Sequence, residues 1–358
     1  MSQNILITGA AGYIGGSVLT DILSRTDETL KAVKLFATVR GQDQVDQISK
    51  LERVQVVQVD VNDKAAVEEI ITQNKIDVVV HTAGSMFPVM VSNLLSALGE
   101  RRRISARYRL TAGKSSVATM FTEEGGWPFG EVKDTDSIID KEREIGVDNP
   151  VRRTNLVLAD EGKAQGVETF NLAVPMIYGR GTGECRKLSV NLPALIRTSI
   201  KLKKVHKFDT DASPWTAHIS DLTTYYVLLL SKILKREPLS FGNDRYFFPI
   251  AHRAPWWAVM DKIAKALYAR GLINDPTPQI WENNDIAADS LGFPRLYIKG
   301  IGMSNGDLIP VNAQELGWSP AWNEEKFLDS MDDEIRDVQE LDTVKMSLFD
   351  SLVSKQDQ

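Results

Sequence analysis

Eight residues near the start of the chain, Thr8-Gly9-Ala10-Ala11-Gly12-Tyr13-Ile14-Gly15, constrain its fold more than any other stretch. They follow a short apolar run, Ile5-Leu6-Ile7, and precede a helical pattern through Val18, Leu19, Ile22 and Leu23. A T-G-x-x-G-x-x-G sequence at a strand-to-helix turn carries a mechanism. Gly9 permits the tight turn, Gly12 lets the backbone approach a pyrophosphate, and Gly15 lets the helix pack close to the strand. The helix start then presents free N–H groups and a positive dipole end to phosphates. The expectation is a dinucleotide, NAD(P), held around Thr8, Gly9, Gly12, Tyr13, Ile14 and Gly15.

Strand and helix signals continue to alternate after this unit. Residues 35–39, 54–59 and 77–80 read as strands, and residues 64–72 as a helix between the last two. Runs without strict alternation suit strands covered on both faces, and short strands alternating with helices predict βαβ crossovers. The expected fold is α/β, a Rossmann-like doubly wound parallel sheet. Further along, 92–98 and 155–165 read as helix, 168–174 as strand, 107–111 as an unusually basic strand, and 121–136 as loop by its breakers. From about residue 180 the character changes, with Trp215, Trp256, Trp257, Trp281 and Trp318 all lying beyond it. This divides the chain into a dinucleotide-binding domain over 1–180, a smaller, mostly helical substrate lobe over 181–340 interleaved with the sheet, and a tail over 341–358.

The end of the second strand selects the dinucleotide. An NAD site places a carboxylate there for the ribose 2′-OH, whereas this chain offers Val39-Arg40-Gly41. A guanidinium suits a 2′-phosphate through bidentate, charge-assisted bonds, so NADP(H) is expected over NAD(H). Asp60-Val61 closes the third strand, in place to accept from the adenine amino group.

Composition narrows the partners. A formal net charge of −6 argues against nucleic-acid binding, which needs a concentrated basic surface. The basic run Arg101, Arg102, Arg103, Arg107 and Arg109 reads as a solvated helix end rather than an anion site. The single cysteine, Cys185, cannot form an internal disulfide and has no histidine neighbour, which points to a reducing, cytoplasmic setting with neither a thiol nucleophile nor a metal site. No apolar run approaches the roughly 18 residues of a membrane span.

Several segments in order carry a family resemblance. The glycine loop, Asp60-Val61, His81-Thr82-Ala83-Gly84, and Ala173-Val174-Pro175-Met176-Ile177-Tyr178-Gly179 are similar to extended or atypical short-chain dehydrogenases/reductases. So are Trp215-Thr216-Ala217-His218-Ile219-Ser220-Asp221-Leu222, against "W-x-x-V-H-V-x-D-L", and Leu316-Gly317-Trp318-Ser319-Pro320, against "L-G-W-x-P". The resemblance implies that Ala83 and Gly84 pass beneath the cofactor, that Pro175 and Ile177 back its nicotinamide, and that a homodimer forms. Its relatives are nucleotide-sugar epimerases, dihydroflavonol reductases and NmrA-like proteins.

The family's chemistry needs a Ser or Thr on the substrate oxygen, and a Tyr whose pKa is lowered by a Lys four residues on. Arg109-Leu110-Thr111-Ala112-Gly113 resembles the strand ending in "S-S", with Ala112 where the serine is expected and Thr111, Ser115 and Ser116 nearby. Val151 and Asn155 fall where the Tyr and Lys belong. The expected substitutes are Thr111 and Tyr178 as catalytic groups, with Trp127, Trp215 and His218 around the substrate; His81 is expected to be positional. The resulting expectation is an NADP(H)-dependent oxidoreductase acting on a small, fairly apolar carbonyl, alcohol or enone. A redox-neutral isomerase, cyclase or dehydratase, or a non-catalytic NADP(H) sensor of NmrA-like type, are the alternatives.

Overall fold

The computed structural model describes residues 3–105, 111–237 and 244–341. Its centre is a seven-stranded sheet. The strands β1 (Asn4–Thr8), β2 (Lys34–Val39), β3 (Val54–Gln58), β4 (Val78–His81) and β5 (Thr111–Val117) are joined by Glu168–Val174 and Tyr246–Phe247. Across the sheet the order runs Tyr246–Phe247, Glu168–Val174, β5, β4, β1, β2, β3, with every pairing parallel.

Alternate residues of these strands face opposite layers. Leu6, Phe36, Val79 and Ala112 pack on helices Lys64–Gln73, Pro88–Ser105 and Pro150–Gln165. Ile5, Ile7, Leu35, Ala37, Val78 and Val80 pack on the other side, under helices Tyr13–Ser24 and Ile219–Lys235. The doubly wound parallel sheet expected from the sequence is therefore present. Helix Pro150–Gln165 begins on Asn149, whose side chain accepts from the N–H groups of Val151 and Arg152, and carries proline in its first turn.

A second core lies in the C-terminal part, where helices Asn191–Leu202, Trp256–Ala269 and Met331–Leu341 enclose Tyr178, Ile196, Val259, Phe327 and Ile335. Strands Met176–Tyr178, Trp215–His218 and His252–Arg253 form a small sheet at its edge. Helix Ile219–Lys235 and strand Tyr246–Phe247 return to the large sheet. Two sequence motifs hold each other here. The Asp221 carboxylate accepts from the N–H groups of Ala321 at 2.9 Å and Trp322 at 3.0 Å, and its carbonyl accepts from the Trp318 indole at 2.9 Å.

Of the strand expected over 107–111, residues 106–110, with Arg107 and Arg109, fall outside the described residues, and the described part of β5 runs from Thr111 to Val117. Its register pairs Thr111 with Val78 and Lys114 with His81. Arg101 is buried and pairs with Asp77, while Arg102 and Arg103 are exposed, so the basic run is only in part a solvated helix end. The segment read as loop contains short helical turns at Ala118–Phe121 and Glu123–Gly125 and a strand at Val132–Lys133. Among the described residues no helix is long and apolar enough to cross a membrane.

Candidate functional site

The glycine loop closes as its residues dictate. Gly9 has φ +76°, and Gly12 N–H donates to Gly9 O at 2.8 Å. A Cβ on Gly15 would stand 2.3 Å from both Gly9 O and Thr82 Oγ1. The helix that follows is capped by Gly12 without a side-chain hydrogen bond and has no acidic residue in its first turn. Helix geometry leaves the N–H groups of Tyr13, Ile14 and Gly15 without intrahelical acceptors, which makes an anion cradle. The residues present thus fit a dinucleotide pyrophosphate. Tyr13 contributes differently from its neighbours, because its buried hydroxyl donates to Gly179 O at 2.7 Å and ties the loop to the lobe.

At the end of β2, Arg40 is exposed, and its backbone is fixed by Gln44 and Gln58 side chains. No carboxylate among the described residues forms an ion pair with its guanidinium. Asp60 is exposed and accepts from the backbone and side chain of Asn62, a turn that leaves carboxylate oxygen open to solvent beside buried Val61. Ala83 and Gly84 follow β4, and Pro175 and Ile177 flank the end of Glu168–Val174, so these residues gather at the C-terminal edge of the sheet with the glycine loop.

Two proposed catalytic residues lie elsewhere. Thr111 opens β5 and pairs with Val78 and Glu168, at the edge of the parallel sheet opposite the glycine loop, and it is buried. In the observed register Ser115 and Ser116 come just before Val117, the last residue of the strand, and Ala112 is core. Tyr178 is fully buried among Trp322, Phe327 and His252, and its hydroxyl meets His252 Nε2 at 3.0 Å. Burial pushes its hydroxyl far above the usual tyrosine range, with Asp221 and Glu334 adding to the rise.

The residues expected around a substrate are also structural in their contacts. Trp127 is 2 % exposed, edge-on to Phe121 and Phe129. Trp215 is half-buried; its indole donates to Gly306 O at 3.0 Å and its ring lies under Arg253. His218 caps helix Ile219–Lys235 and stacks on Trp322 at 4.0 Å. Burial, with His252 nearby, lowers its pKa to about 4, so it stays neutral at physiological pH.

What the sequence did not reveal is a polar row beneath the strand ends. Register places Thr38, Thr8, His81, Lys114, Asn171 and Tyr246 side by side on six adjacent strands. All are buried, Lys114 to 1 % exposure. Lys114 Nζ donates to Asn155 Oδ1 at 2.7 Å, and Ser116 Oγ donates to the same oxygen at 2.9 Å. Asn155 Nδ2 donates to Glu142 Oε1 at 2.8 Å, and Tyr246 donates to Glu142 Oε2 at 2.8 Å. Burial lowers the Lys114 pKa to about 7, partly opposed by Glu142, and burial raises Glu142 to about 7 against these hydrogen bonds. His81 Nδ1 is hydrogen-bonded to the Thr8 hydroxyl at 2.7 Å, and burial lowers its pKa to about 3, with Lys114 adding to the fall. The signal available in sequence was Asn155 itself, a polar residue on the buried face of its helix.

The parallel sheet and its glycine loop define a Rossmann-like dinucleotide-binding architecture. Residues 5–103, which contain that loop, match the NAD dependent epimerase/dehydratase family. A dTDP-glucose 4,6-dehydratase structure from Streptomyces venezuelae with NAD and TYD bound superposes with TM-score 0.64, 13% identity, and coverage of 97% of this chain and 100% of that one. A UDP-glucuronic acid 4-epimerase from Bacillus cereus in complex with NAD gives TM-score 0.63, 14% identity, and coverage of 96% and 99%. Among curated relatives, the protein named oxidase ucsJ from Acremonium sp is 24% identical over 293 residues, 76% of this chain and 81% of its own length. The dTDP-glucose 4,6-dehydratase of Neisseria gonorrhoeae is 30% identical over 81 residues, and this match spans only 23% of either chain. The resemblance to extended short-chain dehydrogenases/reductases read from the sequence motifs is borne out over residues 5–103 by that family match, and the solved structures share the fold.

Proposed function

We propose that the chain binds NADP(H) across the strand ends and uses it for hydride transfer with a small apolar carbonyl, alcohol or enone. The observation that carries the cofactor choice is Arg40, an exposed guanidinium at the end of β2 with no ion-pair partner among the described residues. The bound dinucleotide supplies the hydride. Gly9, Gly12 and Gly15 hold its pyrophosphate, Arg40 its 2′-phosphate, and Asp60 its adenine. A crevice in the C-terminal part, lined by Leu195, Phe208, Trp256, Met260, Leu291 and Phe293 together with Asn191, His206, Lys207 and Thr210, offers a mixed apolar and polar surface. A homodimer in the cytoplasm completes the proposal.

Asp43 favours a rival cofactor. Its carboxylate leans over Gly41, where a Cβ would lie 2.4 Å from Oδ1, and a carboxylate near this strand end suits the 2′-OH of NAD(H). Titrating NADPH and NADH against the wild type, Arg40→Asp and Asp43→Asn separates the two. Arg40→Asp should weaken NADPH about tenfold or more and spare NADH, while Asp43→Asn should tighten NADPH. Equal losses of both dinucleotides in Arg40→Asp refute the NADP(H) assignment. Following nicotinamide absorbance with aldehydes, ketones and enones then tests turnover. Substrate conversion without net NADPH oxidation would establish the redox-neutral alternative, and binding without conversion the sensor.

A further inference from the structure

Asn155 stands where the resemblance expects a lysine, yet a lysine ammonium does reach this point of the fold. It comes from the neighbouring strand: Lys114 Nζ lies 2.7 Å from Asn155 Oδ1, and Glu142 accepts from the other end of the same amide at 2.8 Å. The group sits at the level of His81, the last residue of β4 before Thr82-Ala83-Gly84, and Ser116 continues the same face toward the strand end. We propose that Lys114, tethered by Asn155 and countered by Glu142, is the charge that sets which redox form of the bound dinucleotide the site prefers. This rests on the dinucleotide reading above, and Lys114, held in place by Asn155, acts through its charge and not by touching the dinucleotide.

An oxidised nicotinamide ring carries a positive charge that the reduced ring lacks. A cation below the strand ends therefore disfavours the oxidised form, and a carboxylate favours it. The groups around Lys114 and its counter-charge Glu142 come from every neighbouring element: His81 from β4, Glu142 itself from helix Ile138–Ile145, Asn155 and Arg152 from helix Pro150–Gln165, Asn171 from Glu168–Val174, and Tyr246 from the edge strand. His81 is neutral above about pH 3, burial beside Glu142 holds Tyr246 protonated, and Arg152 keeps its charge as guanidinium groups do. Lys114 and Glu142 are left to titrate near 7. Both move in one direction: as pH rises, Lys114 loses positive charge and Glu142 gains negative charge.

The experiment measures dissociation constants of NADP+ and NADPH at pH 6, 7 and 8 in the wild type and in the double variant Lys114→Met, Glu142→Gln. The 2′-phosphate titrates in both forms of the dinucleotide and cancels in their ratio. In the wild type the ratio of the NADP+ to the NADPH constant should fall about fivefold from pH 6 to pH 8, and in the double variant it should be flat. A flat ratio in the wild type overturns the proposal without any variant having to fold. An unchanged slope in the double variant, with melting confirming that it is folded, also overturns it. Binding of both forms with a flat ratio leaves the dinucleotide reading standing, whereas no binding of NADP+, NADPH, NAD+ or NADH at any pH removes both.

Discussion

Restoring the family's lysine by Asn155→Lys should damage the protein rather than repair it. Asn155 now accepts from Lys114 at 2.7 Å and from Ser116 at 2.9 Å, and a lysine accepts nothing. The charge-assisted bond of Lys114 is lost, worth about 1.5–3 kcal/mol. Two ammoniums about 4 Å apart would also repel by about 4 kcal/mol at an effective dielectric of about 20. Lys114 escapes most of that repulsion by releasing its proton, which is cheap at neutral pH because its pKa is already held down to about 7. The expected net loss is about 3 kcal/mol at pH 7, read as a fall in melting temperature of about 4 °C. The sign with pH follows from the same cation: its folded pKa lies below the unfolded value, so the penalty is present at low pH and fades as pH rises through 7. Denaturant unfolding followed by tryptophan fluorescence at pH 6, 7 and 8 measures this. Lys114→Leu combined with Asn155→Lys removes one ammonium and should recover at least half of the loss. An Asn155→Lys variant within about 0.5 kcal/mol of wild type, or a double variant no better than the single, would refute the reasoning.

Three further substitutions test other parts of the fold. Gly15→Ala drives a methyl against Gly9 O and Thr82, so dinucleotide affinity should drop about tenfold or more in a fluorescence titration. Asp221→Ala strips the acceptors from the Ala321 and Trp322 N–H groups and should lower unfolding free energy by about 2–4 kcal/mol, measured by urea melts. Tyr178→Phe removes one hydrogen bond to His252 and should reduce stability by about 1 kcal/mol while leaving dinucleotide affinity unchanged; a large loss of affinity would return Tyr178 to the site.

The sequence made local structure legible where one residue's conformation has one cause. The glycine loop, the end of β2 at Arg40 and the motif residues Asp221 and Trp318 could be found because turn geometry and strand–helix alternation leave local marks. Helix Pro150–Gln165 was recognised five residues late even though Asn149-Pro150 is a start signal, an N-cap followed by proline. The course of β5 on to Val117 is not legible in the sequence because a lysine inside a parallel sheet breaks the apolar pattern that identifies such strands. Its partners Asn155, Glu142 and Tyr246 lie 28 to 132 residues away in sequence, and no local period links them. Tyr178 is the opposite case: its motif position suggests chemistry, and only the structure shows its packing against Phe327 and its contact with His252.

The polar row bears on function because an apolar one would be easier to build. Neighbouring positions on the same face, Leu6, Phe36, Val79 and Ala112, are apolar and pack directly on the helices. Two residues further along each strand, Thr8, Thr38, His81 and Lys114 are instead polar and buried. Replacing a buried charge pair by well-packed neutral groups is often neutral or stabilising by about 1–4 kcal/mol, whereas removing one partner is strongly destabilising. The double variant Lys114→Met, Glu142→Gln should therefore be as stable as wild type or more so by about 1–2 kcal/mol, while either single change should be less stable. Urea melts of the three variants give that comparison. A double variant more than about 3 kcal/mol below wild type would mean that Lys114 and Glu142 hold the sheet together, and a structural role would then suffice to explain them. Stability retained in the same variant that loses its pH-dependent choice between NADP+ and NADPH would separate what these residues do for the fold from what they do for the site.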